Sequence, residues 1–351
     1  MRTRLLQRTL VAAAVLAVAA AVLAAATPAA EPNAYVQHNL VSDGFLPADH
    51  TDGNLVNAWG LTSLPGSPWW VADNGTDVST IYMADGTPRP LVVSVPNAPT
   101  GAVSNTGPDF VVGSGPALFL FATEEGKLLG WNMSVGTTAQ VVADKSGEDA
   151  IFKGLAIAGD RLYATDFHNG KVDVFDGSFG DVNVPGAFVD PTIAAGFAPF
   201  GIQNVGGKIF VTYAKQDADR EDDVAGQGLG FVDEFDTSGA LLGRVASRGL
   251  LNSPWGLAPA PTSFGRFSGD LLVGNFGDGR ITAFERQSNG RFEPRGQLRT
   301  GNGSLLTIDG LWALQFGKGA LANNGPTDSL FFTAGPDDES HGLFGTIRAA
   351  G

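Results

Sequence analysis

From residue 35 onward, short apolar segments alternate with polar turns, and no segment keeps apolar residues at the spacing of a helix. Each of six units begins with a glycine among apolar residues, followed by an apolar strand, a polar turn and another strand. These marker glycines are spaced 47 to 55 residues apart and are Gly60, Gly107, Gly154, Gly201, Gly256 and Gly310. A period of this length suits a four-stranded blade, so the pattern predicts an all-β, six-bladed β-propeller.

A fourth strand completes each of the first five units in this interpretation, at residues 91–95, 140–143, 187–190, 241–246 and 297–299. The sixth unit has no residues left for such a strand after Ile347, whereas residues 35–41 have the pattern of a strand and belong to no other unit. We therefore predict that this N-terminal strand joins the last blade and closes the ring, which leaves only short edges exposed. An open β-solenoid or a pair of sandwiches is the alternative.

The first 30 residues are a separate part of the sequence. Arg2, Arg4 and Arg8 precede an uncharged apolar run at residues 10–26, and small residues follow it. This pattern is typical of a signal peptide, so we expect residues 1–30 to be removed. Residues 31–351 are then one secreted, periplasmic or cell-surface domain. An uncleaved membrane anchor is the alternative, because the run is just long enough to span a bilayer.

Composition and charge narrow the range of partners. The 48 glycines and 20 prolines suit many tight turns, and the absence of cysteine excludes disulfides, zinc–thiolate sites and thiol nucleophiles. The formal net charge is −14, and it becomes −17 once the three N-terminal arginines are removed. Nucleic acid and anionic membranes are poor partners for such a surface, because both require clustered Lys and Arg. A small molecule, a glycan or a protein remains as the partner.

Several unusual stretches resemble a known family. They include NAWGL at residues 57–61, PWWVADNG at 68–75, NSPWGL at 252–257 and VGNFGDG at 273–279. Through them the chain resembles NHL-type propellers and, more closely, an uncharacterised family of exported bacterial propeller proteins, some of which carry C-terminal sorting tails. The resemblance covers residues 39–347 and implies the propeller fold without an established activity. This chain ends without a sorting tail, so surface attachment by that route is not expected.

One face of such a propeller gathers the loops that enter the inner strands and the turns between the second and third strands, and ligands commonly bind there. Residues at these positions are the candidate binding residues, namely Trp59, Lys153, Phe200, Trp255, Asp309, Asn74, Asp166, His168 and Asn275. Aromatic rings around a polar mouth suit stacking on a flat or sugar-like ligand. Alternatively, these rings only fill the channel and pack between the blades.

An acidic turn at residues 215–223 is the one candidate metal site. It holds five carboxylates within seven residues, and Asp217, Asp219 and Asp222 are the candidate ligands. Ca²⁺ or another divalent cation prefers oxygen ligands of this kind. The spacing follows no calcium-loop signature, so a solvated acidic loop is the alternative.

Two functions remain open. The chain contains no signature of serine catalysis or nucleotide binding, which favours a binding module that uses the channel-mouth face. The alternative is a metal-dependent hydrolase of the gluconolactonase-like propeller class, in which carboxylates and amides hold a cation. Asn57, Glu124, Asp166, Asn275 and Asp309 are the residues available for that chemistry. The class has a Glu at the entry to its first inner strand, where this chain has Asn57.

Overall fold

The structure, a computed structural model, describes residues 31–350, and the predicted signal peptide at residues 1–30 lies outside the described residues. Six small sheets, made almost entirely of antiparallel pairs, form a six-bladed β-propeller, so the predicted fold class is confirmed. Short 3-10 helices lie at Asn74–Thr76, Met133–Val135, Ser146–Glu148 and Gly265–Phe267. No helix within residues 31–350 is long and apolar enough to cross a membrane.

In each of blades 1 to 3 the first strand is the inner one, which lines the channel, and the last is the outer one. Blade 1 contains Ala58–Thr62, Trp69–Asp73, Val78–Tyr82 and Val93–Ser94. Blade 2 contains Pro99–Ser104, Phe119–Thr123, Lys127–Trp131 and Gln140–Asp144, and a small hairpin of Val111–Val112 and Gly115–Pro116 precedes its second strand. Blade 3 contains Phe152–Ala158, Arg161–Asp166 and Lys171–Asp176.

Blades 4 to 6 complete the ring. Blade 4 contains Phe197–Val205, Lys208–Lys215, Gly230–Phe235 and Leu241–Ser247. Blade 5 contains Pro254–Pro259, Leu271–Asn275, Ile281–Arg286 and Phe292–Gln297. Blade 6 contains Leu311–Phe316, Leu330–Ala334 and Leu343–Ala349. Its last strand pairs antiparallel with Tyr35–Ser42, the first strand of the described chain, and the short strand His50–Thr51 runs parallel to that first strand at the outer edge.

The predicted inner strands of blades 2 and 6 were wrong. Thr106 and Gly107 follow the inner strand of blade 2, whose marker position is Gly101. In blade 6 the marker position is Ala313, and Gly310 precedes the strand with a φ of 62°, a conformation that favours glycine. An assumed regular repeat led to both errors, because the connections between blades differ in length.

Two predicted outer strands also differ from the structure. Residues 187–190 of blade 3 form turn and irregular structure, so this sheet has three strands, extended only by an isolated bridge between Phe175 and Asp181. The outer strand of blade 5 is Phe292–Gln297, upstream of the predicted residues 297–299. An outer strand is paired on one side and largely exposed, so its sequence carries little apolar signal.

The inner strands of neighbouring blades pack backbone against backbone. A Cβ added at Gly60, Gly201 or Gly256 would collide with a carbonyl oxygen of the next blade's inner strand. Side-chain hydroxyls also join the blades here, as where Thr165 Oγ1 of blade 3 donates to the carbonyl oxygen of Phe200 in blade 4 at 2.6 Å. This close approach is the physical reason for the glycine at the marker position.

Buried apolar side chains fill the space between each pair of neighbouring blades, including blades 6 and 1. The first strand contributes Leu40 and Val41 to the interface between blades 6 and 1. Tyr35 is 1% exposed between the rings of Phe264 and Phe267, and its hydroxyl donates to the carbonyl oxygen of Phe264 at 3.0 Å. The first strand is thus part of the core as well as of a sheet.

We predict that Tyr35→Ala lowers the free energy of unfolding by about 3–5 kcal/mol, because it removes a buried ring and its hydrogen bond. The matched control is Val36→Ala, because Val36 is the next residue of the same strand and is 56% exposed. This control should cost less than about 1 kcal/mol. Denaturant unfolding of both variants is the measurement. Equal, small effects would show that the first strand contributes little to the stability of the propeller.

Candidate functional site

Polar side chains from five blades converge at the end of the channel where the inner strands begin, which we call the upper mouth. They come from the inner-strand entries and from the turns after the second strands. We call this set the mouth cluster, and it consists of Asn57, Asn74, Glu124, Lys153, Asp222 and Glu339. Loops on such a face are free to vary while the blades hold them in place, which is why propeller ligands bind there.

Lys153 is the centre of the mouth cluster. Its side chain is only 3% exposed. Its Nζ donates to Oε1 of Glu124 at 2.5 Å and to Oδ1 of Asp222 at 3.0 Å, and lies 5.3 Å from the centroid of the Trp59 ring. Burial opposes the positive charge, but the two carboxylates outweigh it and raise the pKa of Lys153. A permanently charged ammonium group therefore lies at the centre of the mouth.

Two asparagines link the carboxylates of the cluster. Asn57 Nδ2 donates to Glu339 Oε2 at 2.5 Å and to Asn74 Oδ1 at 3.1 Å, and Asn74 Nδ2 donates to Glu124 Oε2 at 3.0 Å. Asn57 is buried, and its Oδ1 accepts a hydrogen bond from Trp312 Nε1 at 2.9 Å. This last contact fixes the orientation of the Asn57 amide, and through it the rest of the network.

Glu339 is the carboxylate of the cluster that titrates near neutral pH. Burial raises its pKa from 4.5 to about 7, and repulsion from Glu124 and Asp222 acts in the same direction. The hydrogen bond from Asn57 and the positive charge of Lys153 lower the pKa and so oppose this shift. A carboxyl group with such a pKa can hold or release a proton under ordinary conditions, as acid–base chemistry requires.

The loop that carries Glu339 has a strained backbone. Asp337, Asp338 and Glu339 have φ angles of 56°, 50° and 64°. This left-handed conformation costs a non-glycine residue roughly 1–2 kcal/mol. Three such residues in succession are held by the surrounding structure, and strain of this kind concentrates at functional sites.

Aromatic rings close the channel at the level of the mouth cluster. The ring of Trp312 stacks on the rings of Trp59 and Phe276, at centroid distances of 3.7 Å and 3.9 Å respectively. Its centroid lies 5.8 Å from the ring centroids of both Phe200 and Trp255. Trp59, Phe200 and Trp312 are each only 1% exposed, whereas Phe276 is half-buried. The buried rings therefore plug the channel, and Trp255 and Phe276 are the two half-buried rings of this group.

Six of the nine predicted binding residues lie in or beside the mouth cluster and the plug. Lys153 and Asn74 belong to the mouth cluster, and Trp255 supports it, because its Nε1 donates to the carbonyl oxygen of Lys153 at 2.9 Å. Trp59 and Phe200 belong to the plug. Asp309 is exposed just before the inner strand of blade 6, and its Oδ2 accepts the backbone N–H of Asp337, so it supports the strained loop.

The other three predicted binding residues stay outside the cluster. Asp166 is buried and accepts hydrogen bonds from the backbone and side chain of Asn169, and burial raises its pKa. His168 is half-buried in the same turn. Asn275 donates to the carbonyl oxygen of Leu250 at 2.8 Å. These contacts stabilise loops.

The acidic turn does not gather its carboxylates around one point. Asp222 bonds to Lys153 at 3.0 Å, Asp217 Oδ1 accepts the backbone N–H of Glu221 at 3.0 Å, and Asp219 is exposed. Within residues 31–350 there is no group of three or more His, Asp or Glu side chains arranged to hold a metal ion.

Sequence reasoning missed Trp312, Phe276 and Glu339. Trp312 was missed because the marker of blade 6 was placed at Gly310, although LWAL at residues 311–314 matches AWGL at residues 58–61. Phe276 follows the second strand of blade 5 at the turn position used for other candidates. No pattern in the sequence distinguishes Glu339 from the two exposed aspartates before it.

Comparison with known proteins identifies relatives that cover most of the chain. No protein-family model matches the chain. "Uncharacterized protein R648" of Acanthamoeba polyphaga mimivirus is 35% identical over 326 residues, which cover 88% of this chain and 78% of that protein. "Uncharacterized protein L690" of the same virus is 32% identical over 326 residues, covering 88% and 84%. These relatives are viral, so they do not support the expectation of a bacterial family or of sorting tails.

Solved structures share the fold. A protein of unknown function from Bacteroides thetaiotaomicron aligns with a TM-score of 0.58 at 9% identity, over 90% of this chain and 76% of that one. The aldose sugar dehydrogenase of Streptomyces coelicolor aligns with a TM-score of 0.51 at 12% identity, over 91% and 99%. Virginiamycin B lyase from Staphylococcus aureus gives a TM-score of 0.49 at 14% identity, over 83% and 80%. At such low identities, the two alignments with TM-scores above 0.5 show the propeller architecture alone.

The raised pKa of Glu339 gives a pH-dependent prediction. The folded state favours the protonated carboxyl, so the stability that Glu339 contributes is present below pH 4.5 and is lost as the pH rises through about 7. Glu339→Gln keeps an acceptor for Asn57 and cannot ionise. At about pH 8 this variant should be more stable than the parent by about 2–3 kcal/mol, and at about pH 5 the difference should largely disappear.

Denaturant unfolding at both pH values measures this effect. The matched control is Asp338→Asn, which removes an exposed carboxylate from the same loop and should show no such pH dependence. A parent protein and a Glu339→Gln variant of equal stability at about pH 8 would contradict the prediction.

Proposed function

We propose a function for this chain, which belongs to the family of the mimivirus proteins R648 and L690, from the geometry of its own mouth cluster. The chain is a binding module whose upper mouth takes up a small, hydroxyl-rich ligand such as a sugar or polyol. The observation that carries the proposal is a buried, charged Lys153 held between Glu124 and Asp222 at the point where five blades converge.

The cluster is arranged before any ligand arrives. Trp312 fixes Asn57, Asn57 fixes Asn74, and Asn74 bonds to Glu124, so the polar atoms keep their positions without reorganisation. A ligand that binds such a site loses little free energy to ordering of the protein. Networks of this kind are costly to maintain in a buried place unless each polar group is satisfied, which supports a role beyond packing.

Free hydrogen-bonding capacity at the mouth matches a hydroxyl group. Lys153 Nζ uses two of its three protons for the carboxylates, which leaves one donor. The side chain of Asp222 is 74% exposed and offers acceptors, and the half-buried ring of Phe276 offers an apolar face. A sugar presents hydroxyls that both donate and accept, together with an apolar ring face that packs on an aromatic side chain.

The charge of the cluster narrows the ligand class further. One ammonium group faces the carboxylates of Glu124 and Asp222, and the half-titrated Glu339 adds further negative charge near neutral pH. The mouth is therefore net negative, and an anionic ligand is repelled. Neutral and amino-bearing ligands fit this charge.

Export remains part of the proposal. The apolar run at residues 10–26, with three arginines before it, supports a signal peptide at residues 1–30. The resulting secreted, periplasmic or cell-surface location suits a protein that binds sugars or glycans.

The alternative function, a metal-dependent hydrolase, needs a divalent cation at the mouth. Burial raises the pKa of Glu339 to about 7, and a carboxyl group of this kind favours acid–base chemistry. The donor set fits a metal ion poorly, because Lys153 Nζ already bonds to both Glu124 and Asp222. A divalent ion in that place would have to displace a buried ammonium group.

The test of the proposed function is a glycan-array screen of the protein, followed by calorimetric titration of the sugars that bind. We expect neutral or amino sugars to bind and acidic sugars to be rejected. Glu124→Gln should then weaken binding at least about tenfold, because the charge-assisted hydrogen bond between Lys153 and the Glu124 carboxylate is lost. Binding of acidic sugars alone, or of none, would contradict the proposal.

The matched control is Glu125→Gln, because Glu125 is the next residue, is 57% exposed and pairs with Lys127 outside the mouth cluster. This variant should bind like the parent. Lactone turnover that requires Ca²⁺ and stops with a chelator would instead favour the hydrolase.

A further inference from the structure

The opposite end of the channel, which we call the lower mouth, differs in character from the upper one. Below the aromatic plug, the inner strands form an apolar collar of Leu61, Ala102, Leu155, Ile202, Leu257 and Leu314, which leaves a void of only about 20 Å³. Beyond it the strands end in polar residues around a cavity of about 170 Å³, lined by Thr62, Val103, Ser104, Ala156, Ile157, Gln203, Asn204, Gln315 and Lys318. The two mouths are thus separate sites.

Lys318 brings a positive charge to the lower mouth without a carboxylate to balance it. It follows the inner strand of blade 6, and its Nζ donates to the backbone carbonyl oxygen of Ser63 in blade 1. No Asp or Glu is among the described residues that line the cavity, and no carboxylate of residues 31–350 forms an ion pair with Lys318. Burial lowers the pKa of Lys318 with no carboxylate opposing it.

This arrangement is unusual in a chain with a net charge of −14. Five of the seven lysines bond to carboxylates, and in residues 31–350 only Lys215 and Lys318 do not. Lys215 lies over the ring of Phe197 instead. A lysine bonded only to a carbonyl oxygen keeps two protons for other acceptors.

We propose that the lower mouth binds one small oxyanion, a carboxylate or phosphate group, on Lys318. Gln203 lines the same cavity, and its side-chain amide supplies further N–H donors there. An ammonium group and an amide around a polar cavity free of carboxylates form charge-assisted hydrogen bonds to an oxyanion. This site is independent of the mouth cluster, whose negative charge selects the opposite kind of ligand.

Calorimetric titration of the protein with inorganic phosphate and, separately, with acetate at low ionic strength tests the proposal. We expect saturable binding of one ion per chain. Phosphate alone, acetate alone or both would each support an oxyanion site and would define its geometry. Lys318→Met should weaken binding at least about tenfold, and Lys318→Arg should keep it within about threefold, because the charge is retained.

Lys215→Met is the matched control, because it removes the other lysine that lacks a carboxylate partner, and it should bind like the parent. Gln203→Glu offers a second variant that keeps the contact of Lys318 with Ser63. It places a carboxylate in the cavity lining and should abolish binding. Absence of saturable binding by the parent, or equal losses in Lys215→Met and Lys318→Met, would overturn the proposal.

Discussion

The inner strands of the propeller pack so closely around the axis that the backbone of one blade lies against the backbone of the next. Glycine at Gly60, Gly154, Gly201 and Gly256 makes this approach possible, since a Cβ would collide with the neighbouring strand. The positions beside these glycines must then fill the narrow axis with side chains. The composition of the two mouths follows from this constraint, because close packing of the inner strands determines which residues face the channel at each level along its axis.

The residue before each marker position determines the upper end of the channel. In the six blades these residues are Trp59, Thr100, Lys153, Phe200, Trp255 and Trp312. Trp59, Phe200 and Trp312 form the plug, and Lys153 is the one charged member. A charge this deeply buried requires partners, and Glu124 and Asp222 supply them from two other blades. The mouth cluster therefore exists because one blade carries lysine where others carry an aromatic ring.

The two ends of the channel differ in charge. The carboxylates gather at the upper mouth around a single buried lysine, whereas the lower mouth has Lys318 and no carboxylate in its lining. The plug and the collar lie between them, so neither charge is neutralised by the other. One channel thus supports two sites of opposite preference, and the ring of blades keeps both rigid.

The class of fold follows from the sequence alone, because alternating apolar residues, glycine-rich turns and six similar units leave few other ways to bury so many short strands. The predicted position of Lys153 and Asn74 at the mouth also follows from their places relative to the strands. The sequence pattern misplaced the inner strands of blades 2 and 6, because connections of unequal length break the period. The contact of Glu339, from the last blade, with Asn57, from the first, is visible only in the folded protein. Such contacts between residues distant in the chain depend on the packing of blade 6 against blade 1, and no local pattern encodes them.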